Sequence, residues 1–371
     1  MTKTATVTWI SWPNYGSYLQ AYALQYVIKR MGYENAIIDD ERIVYPSGKP
    51  SNGAWIRKLP LYKQLYIRIS QGLLSIVCET DAKKVERRFE GFRRLYLIID
   101  NDFQKFEELN EKYDVFIAGS DQIWAPTKEI FKPYYYLDFA KKKKISYAAS
   151  VNSECYPEEY KVPITDLLKD FTHISVREEA GKELLESFLK RNVEVSLDPT
   201  LLLTDADWQK VAIKQRSKHP YILCYLLTYN ETYLEYARNF ARQRNLPLYI
   251  FSNNEKYNTF ADKMIAAGPS EFVSSFRDAF FVLTDSFHGT VFSILHKKEF
   301  ITFKRFKGKE GSNQNERLNN LFRITGITGR FLNEQELHET IIVPIDYLDV
   351  NQNLEREREK SINYLKEALA H

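Results

Sequence analysis

Residues 4–38 read TATVTWISWPNYGSYLQAYALQYVIKRMGYENAII, and this stretch decides the fold. Thr4–Ser11 alternates as a strand does. Gly16–Met31 carries Leu19, Tyr22, Ala23, Tyr26 and Val27 at the i, i+3, i+4, i+7, i+8 spacing of one helix face. Gly32 stands where a C-terminal cap is wanted, and Ala36–Ile38 begins a second short strand. Strand, helix, strand is the unit of a parallel sheet flanked by helices.

The pattern continues outward. Further strands are expected at Asp114–Ala118, Lys144–Ala149 and His173–Val176, then a helix over Glu178–Lys190 and a strand at Val193–Ser196. Asp198-Pro199 breaks the series, and a second one starts near Asp205, with strands at Tyr221–Leu227, Leu248–Phe251, Phe280–Leu283 and Phe300–Phe303. The expected fold class is α/β: two Rossmann-like domains whose parallel sheets face a cleft, at residues 1–203 and 204–345. The 346–371 segment reads as a helix with Leu354, Ile362, Leu365 and Leu369 inward, and is expected to pack back on the first domain. Residues 45–100 interrupt the first series with two amphipathic helices, the first marked by Leu61, Leu65, Ile69, Leu73 and Ile76. Ten Lys/Arg against four Asp/Glu between Arg57 and Arg94 make this insertion basic.

Composition bounds the function. With 371 residues and 44% hydrophobic content the chain is long enough for two cored domains. Its 52 basic and 49 acidic residues are too balanced to imply a nucleic-acid partner. The longest apolar run, Tyr221–Leu227, is far short of the ~20 residues a membrane helix needs. The N-terminus lacks the apolar core of a signal peptide, and Cys78, Cys155 and Cys224 are too few and too scattered for a disulfide framework or a zinc site, so a reduced cytoplasmic setting is expected.

Glycine-rich nucleotide loops, His-Glu-x-x-His and Cys-x-x-Cys are all absent from the sequence. Asp205-Ala206-Asp207 imitates a metal-binding Asp-x-Asp, but Thr204 with Asp207 ahead of Trp208 reads as a helix start. Glu178 and Glu186 have a Glu-x7-Glu spacing found in some nucleotide-sugar transferases, which any charged helix also produces.

Three stretches lie where α/β sheets bind ligands, at the carboxyl ends of strands. In the first, Ser11–Gln20, a strand end runs into a helix start whose free N–H groups and dipole favour an anion, while Asn14 and Ser17 equally suit a helix cap. In Ala118-Gly-Ser-Asp-Gln-Ile-Trp124, a carboxylate (Asp121), an amide (Gln122) and an indole (Trp124) together suit a sugar. In Phe280–Val291, His288 follows a buried strand among Ser286 and Gly289, a setting for acid–base work as well as for a satisfied core histidine. Arg177 holds the matching place in the first half and suits bidentate recognition of carboxylate or phosphate. Lys304-Arg-Phe-Lys-Gly-Lys309, including Lys304 and Arg305, is either a donor-binding loop or a solvated one; Lys141–Lys144 reads as solvated.

Taken together, Asn14–Gln25, Gly119-Ser-Asp-Gln-Ile-Trp124, Ser175-Val-Arg-Glu178, Leu197-Asp-Pro-Thr200 and Thr284-Asp-Ser-Phe-His-Gly-Thr290 resemble the polysaccharide pyruvyl transferase family over nearly the whole chain. The resemblance implies a fold like the GT-B glycosyltransferases and transfer of the enolpyruvyl group of phosphoenolpyruvate to two sugar hydroxyls, giving a ketal. It places the acidic residue at Asp121, the phosphoenolpyruvate-binding Arg at Arg177 and the essential His at His288. One departure stands out: Ser286-Phe-His288 replaces the Arg-Leu-His of many members, so that arginine's role is dropped or supplied from elsewhere, Lys304 and Arg305 being candidates. The implied catalytic pair is His288 and Asp121, with Arg177, Lys304, Arg305, Ser286 and Gly289 on the donor, and Asn14, Tyr15, Gln20, Gln122 and Trp124 on the acceptor. No metal or resident cofactor is expected, phosphoenolpyruvate being a substrate. Acceptors in this family are often built on lipid carriers, so the basic insertion is read either as a contact with the inner face of a membrane or as a solvated surface. A nucleotide-sugar transferase and a silent glycan-binding protein are the rival functions.

Overall fold

The computed structural model describes residues 1–11, 13–44, 81–127, 131–153, 155–252, 255–305 and 312–370. Its frame is a pair of parallel six-stranded sheets. The first runs β3-β2-β1-β4-β5-β6, with β1 Lys3–Val7, β2 Glu34–Ile38, β3 Ile99–Asp100, β4 Val115–Ala118, β5 Lys143–Ser146 and β6 Phe171–His173. A two-stranded sheet follows, β7 Ser175–Val176 with β8 Glu194–Val195. The second large sheet runs β11-β10-β9-β12-β13-β14, with β9 Ile222–Tyr225, β10 Leu248–Ile250, β11 Lys263–Met264, β12 Phe281–Thr284, β13 Glu299–Phe303 and β14 Phe331–Leu332. The two orders are the same when each is renumbered from its first strand, so the halves are alike in topology although no sequence repeat is visible. Each sheet reverses direction beside its first strand, and there the loops after β1, β4 and β12 emerge.

The opening helix forms over Tyr15–Arg30, capped at its start by Asn14, whose side chain accepts from Ser17 N, and ended at Gly32, whose φ of 91° is the left-handed conformation that favours glycine. The expected strand His173–Val176 divides into β6, which pairs with β5, and β7, which pairs with β8 through Ser175–Glu194 and Val176–Val195. Lys144 is not solvated: it lies buried in β5, 3.7 Å from Asp170.

Aromatic packing closes the seam between the halves. Tyr15 stacks on Phe272 at 4.8 Å and donates to Ala267 O at 3.1 Å. Leu19 and Tyr22 share one buried cluster with Phe272, Phe276 and Phe292. The first helix expected in the insertion, with Leu61 to Ile76, lies outside the described residues. The second is helix Asp81–Tyr96, which buries Phe89 and Phe92 in this cluster. Arg93 on this helix pairs with Asp39 at 2.5 Å, Arg88 with Glu271 at 3.1 Å and Lys84 with Asp81 at 3.1 Å. The last helix, Tyr347–Ala370, returns to the first half: Ser361 Oγ accepts from Leu197 N at 2.9 Å, Arg358 donates to Leu201 O at 2.9 Å, and Tyr364 donates to Ser146 O at 2.9 Å.

Candidate active site

Three strand ends deliver a buried charged cluster to the seam. Arg177 follows β7 directly, Asp198 lies just past β8, and His288 stands in the first turn after β12. Arg177 Nη1 donates to Asp198 Oδ2 at 2.6 Å, and His288 Nε2 lies 3.6 Å from the same oxygen. The side chains of Arg177, Asp198 and His288 are only 3%, 0% and 12% exposed. The local reason for Asp198 is its peptide: it caps the 3-10 turn Pro199–Leu202, with Oδ1 accepting from Thr200 N at 3.0 Å and Thr200 Oγ1 at 2.6 Å. Pro199 suits the first position of that turn. One carboxylate oxygen thus holds the Thr200 turn, and the other holds the Arg177 guanidinium and faces the His288 imidazole.

His288 is set by helix Phe287–Leu295, whose N-cap Ser286 accepts from Gly289 N at 3.3 Å. Gly289 is required by packing, since a Cβ there would lie 2.4 Å from Thr284 Oγ1. On its other side the imidazole fills the space in front of Gly16, where a Cβ would fall 2.0 Å from Nδ1. Two helices from opposite halves therefore meet N-terminus to N-terminus at His288, and both dipoles favour an anion there.

Asp121 sits beyond β4 with φ 77°, a strained value for a residue other than glycine. Its carboxylate accepts from the Ser17 hydroxyl and, at 2.9 Å, from Gln122 N. Its carbonyl accepts from Ser150 N at 2.8 Å, and Ser150 Oγ donates at 2.5 Å to Glu178, which also lies 3.3 Å from Arg177 Nε. This chain links Asp121 to Arg177, and Ser17 links it to the Gly16 turn beneath His288.

Burial alone would push the Asp198 carboxyl up, but His288 and Arg177 beside it, with the Thr200 hydroxyl, hold it well below the usual carboxylate range. It is an anion at any physiological pH. Asp285 behaves oppositely: burial pushes it up to about 6, although Leu227 N and Thr228 N both donate to it.

The arrangement adds residues that the motifs did not single out for the site. Asp198 was visible only as a chain break and a family motif. Glu178 was visible as half of a doubtful pair, and Glu186, its supposed partner, instead accepts from Val193 N at 2.9 Å. Arg317, on helix Ser312–Thr325, had no signal at all; turned to face it, the Gln122 amide oxygen accepts from its Nη1 and Nη2 at 2.9 and 3.1 Å. Asp205-Ala-Asp207 is a helix start as expected, with Thr204 and Asp207 bonded reciprocally.

Several expected site residues lie elsewhere. Trp124 is not a stacking platform: its indole is wholly buried, parallel to Tyr136 at 5.3 Å, with Nε1 donating to Tyr135 O at 3.0 Å. Trp124→Phe should therefore cost about 1–3 kcal/mol of stability, read from denaturant midpoints, and leave any acceptor KM unchanged; a raised KM at full stability would return Trp124 to the site. Gln20 is fully buried, donating to Thr8 Oγ1 at 2.8 Å and Ser17 O at 3.0 Å. Tyr15 belongs to the aromatic seam; Asn14 stays beside the cluster, as the exposed cap of the Gly16–Ser17 turn. Lys304 is drawn to Glu336 at 3.0 Å, away from the cluster. Arg305 lies near enough to act electrostatically on Asp285 and Arg317. Among the described residues no group of acidic, His and Cys side chains is arranged to hold a metal.

The two matched sheets and the seam between them define a two-domain α/β protein of the GT-B type. The same fold is seen in UDP-GlcNAc 2-epimerase from Neisseria meningitidis bound to UDP-GlcNAc, with 11% identity, 100% of this chain and 99% of that one covered, and a TM-score of 0.51. It is seen equally in UDP-N-acetylglucosamine 2-epimerase from Rickettsia bellii, with 12% identity, 99% and 96% coverage and a TM-score of 0.51. No curated protein matches the sequence. The sequence profile of the polysaccharide pyruvyl transferases matches residues 14–305, a span that takes in Gly16, Asp121, Arg177, Asp198 and His288. The chain belongs to the polysaccharide pyruvyl transferase family.

Proposed function

We propose that this protein transfers the pyruvyl group of phosphoenolpyruvate to two hydroxyls of a sugar in a polysaccharide or its precursor, forming a pyruvate ketal and releasing phosphate. The observation that carries the reading is the shared carboxylate: Asp198 holds a buried guanidinium and an imidazole together at a junction of two helix N-termini. Phosphoenolpyruvate brings a carboxylate and a phosphate, which such a junction favours. Protonation of its methylene carbon leaves an oxocarbenium-like centre. One sugar hydroxyl adds to that centre, phosphate leaves, and a second hydroxyl closes the ketal. Of the two hydroxyl protons released, one makes up the new methyl group and the other leaves on phosphate. His288 is the group suited to deliver the proton to carbon, and Asp121 is suited to accept one from a hydroxyl.

The test is phosphate release from phosphoenolpyruvate in the presence of candidate glycosides, with the ketal identified by mass. Transfer from a UDP-sugar, with no reaction of phosphoenolpyruvate, would replace this reading by a GT-B glycosyltransferase; glycan binding with neither reaction would make the protein a binding module.

Among the described residues no helix is long and apolar enough to cross a membrane. The reading sets the protein in the cytoplasm, working on lipid-linked acceptors at the inner membrane face. Arg87 and Arg94, exposed on helix 81–96, would meet the anionic surface, each contributing on the order of 1 kcal/mol. Sedimentation with anionic vesicles at low salt should exceed that with neutral ones, and the difference should vanish at high salt; equal binding to both removes the membrane contact.

A further inference from the structure

Arg317 stands outside the span that matches the family, on helix Ser312–Thr325. Its neighbour Asn320 donates to Arg177 O at 3.3 Å, so this helix is bonded to the Arg177 backbone. Both guanidiniums lie against one ring, Phe287, with Arg177 at 5.0 Å and Arg317 at 5.7 Å from its centroid. They are not equivalent. Arg177 has two carboxylates, Asp198 and Glu178. Arg317 has no ion-pair partner within 4.0 Å among the described residues; the Gln122 amide accepts from it, and Glu178 and Asp121 act on it from further off. Arg177 Nη2, Arg317 Nε and His288 Nε2 are each buried without a hydrogen-bond partner among the described residues.

Two guanidiniums brought together in a buried place repel, and a folded protein seldom keeps such a cation without a function. Burial, and then Arg177, push Arg317 down to about 10, so it remains charged at neutral pH. We infer that Arg317 is a second anion-binding residue of the donor site, paired with Arg177, and takes the phosphate or carboxylate of the phosphorylated donor across the domain seam. Arg317 brings its guanidinium to Phe287, beside His288, from a different helix. The identity of the donor rests on the phosphoenolpyruvate reading; the anion site does not.

Calorimetric titration with inorganic phosphate and with phosphoenolpyruvate, on the whole protein near pH 7.5, tests this. Arg317→Gln should weaken both about tenfold or more, because a charge-assisted bond is lost. Its ligand-free Tm should equal or exceed that of wild type, since the repulsion from Arg177 is gone. Arg317→Lys keeps the charge without the planar fork and should fall between the two. Unchanged affinity for both anions in Arg317→Gln overturns the inference, as does a wild type that binds neither. If Arg317→Gln fails to fold, a stable Arg317→Lys with wild-type affinity overturns it as well. Phosphate binding that depends on Arg317, in a protein releasing no phosphate from phosphoenolpyruvate with any acceptor, leaves the anion site standing and removes the proposed donor.

Discussion

His288→Asn should lower kcat for phosphate release from phosphoenolpyruvate by about 10²–10⁴-fold, the range that a lost general acid typically costs. The amide keeps some hydrogen bonding but cannot deliver a proton to carbon near neutral pH. The fold should survive, because the imidazole, packed against Gly16 and Phe287, lies 3.6 Å from Asp198, a looser approach than Arg177 makes. His288→Ala should be nearly as inactive. Arg177→Ala differs in kind: a lost contact to the donor acts chiefly on the phosphoenolpyruvate KM. If His288→Asn kept most of the wild-type kcat, the imidazole would be a donor ligand and the proton would come from elsewhere.

The second large effect is expected at Asp198, on stability as much as on turnover. Asp198→Asn keeps the size of the side chain and its bonds to the Thr200 turn but removes the charge that holds Arg177. Breaking a buried ion pair from one side costs about 3–5 kcal/mol, and here the loss should fall toward the lower end, since the buried guanidinium keeps Glu178 at 3.3 Å as its remaining counter-charge. Turnover should fall with it, because Arg177 and His288 lose their common anchor. The pH dependence has a definite sign. The depressed carboxyl binds fewer protons folded than unfolded, so its contribution is complete above the unfolded value near 3.9 and fades as pH falls below it. Denaturant midpoints of wild type and Asp198→Asn should therefore differ most at neutral pH and converge in acid. Equal midpoints at pH 7 would show that Asp198 is not the anchor.

Both effects come from one design, in which a single carboxylate oxygen faces a side chain from each half, the Arg177 guanidinium and the His288 imidazole. Domain closure and site assembly are then the same event: the His288 half docks onto Asp198 while the Tyr15, Phe272 and Phe89 rings bury the seam beside it. Gly16 permits the closest approach, and any side chain there would displace the imidazole.

What the sequence determined by itself was the local order. Helix 15–30, β1, β4, β9 and β12 are written in periodicities a few residues long, and the order of strands and helices fixes a parallel sheet by chain connectivity alone. The places of Arg177, Asp121 and His288 just past strand ends were legible for the same reason. Only the tertiary structure decided what surrounds each side chain. Trp124 follows a strand as a sugar platform would, yet Tyr135 and Tyr136 of the following turn and Phe171 of β6 cover it. Lys304 sits in a cationic run, yet Glu336 takes its charge. Asp198 looked like a chain break, and its meaning depends on His288, ninety residues further along, arriving across a domain seam. Arg317 had no motif because its role comes from contact with Gln122 and Phe287 and not from its neighbours in sequence. Secondary structure answers to short-range spacing, whereas burial and charge pairing answer to contacts between residues far apart in the chain, which a pattern of spacing does not encode.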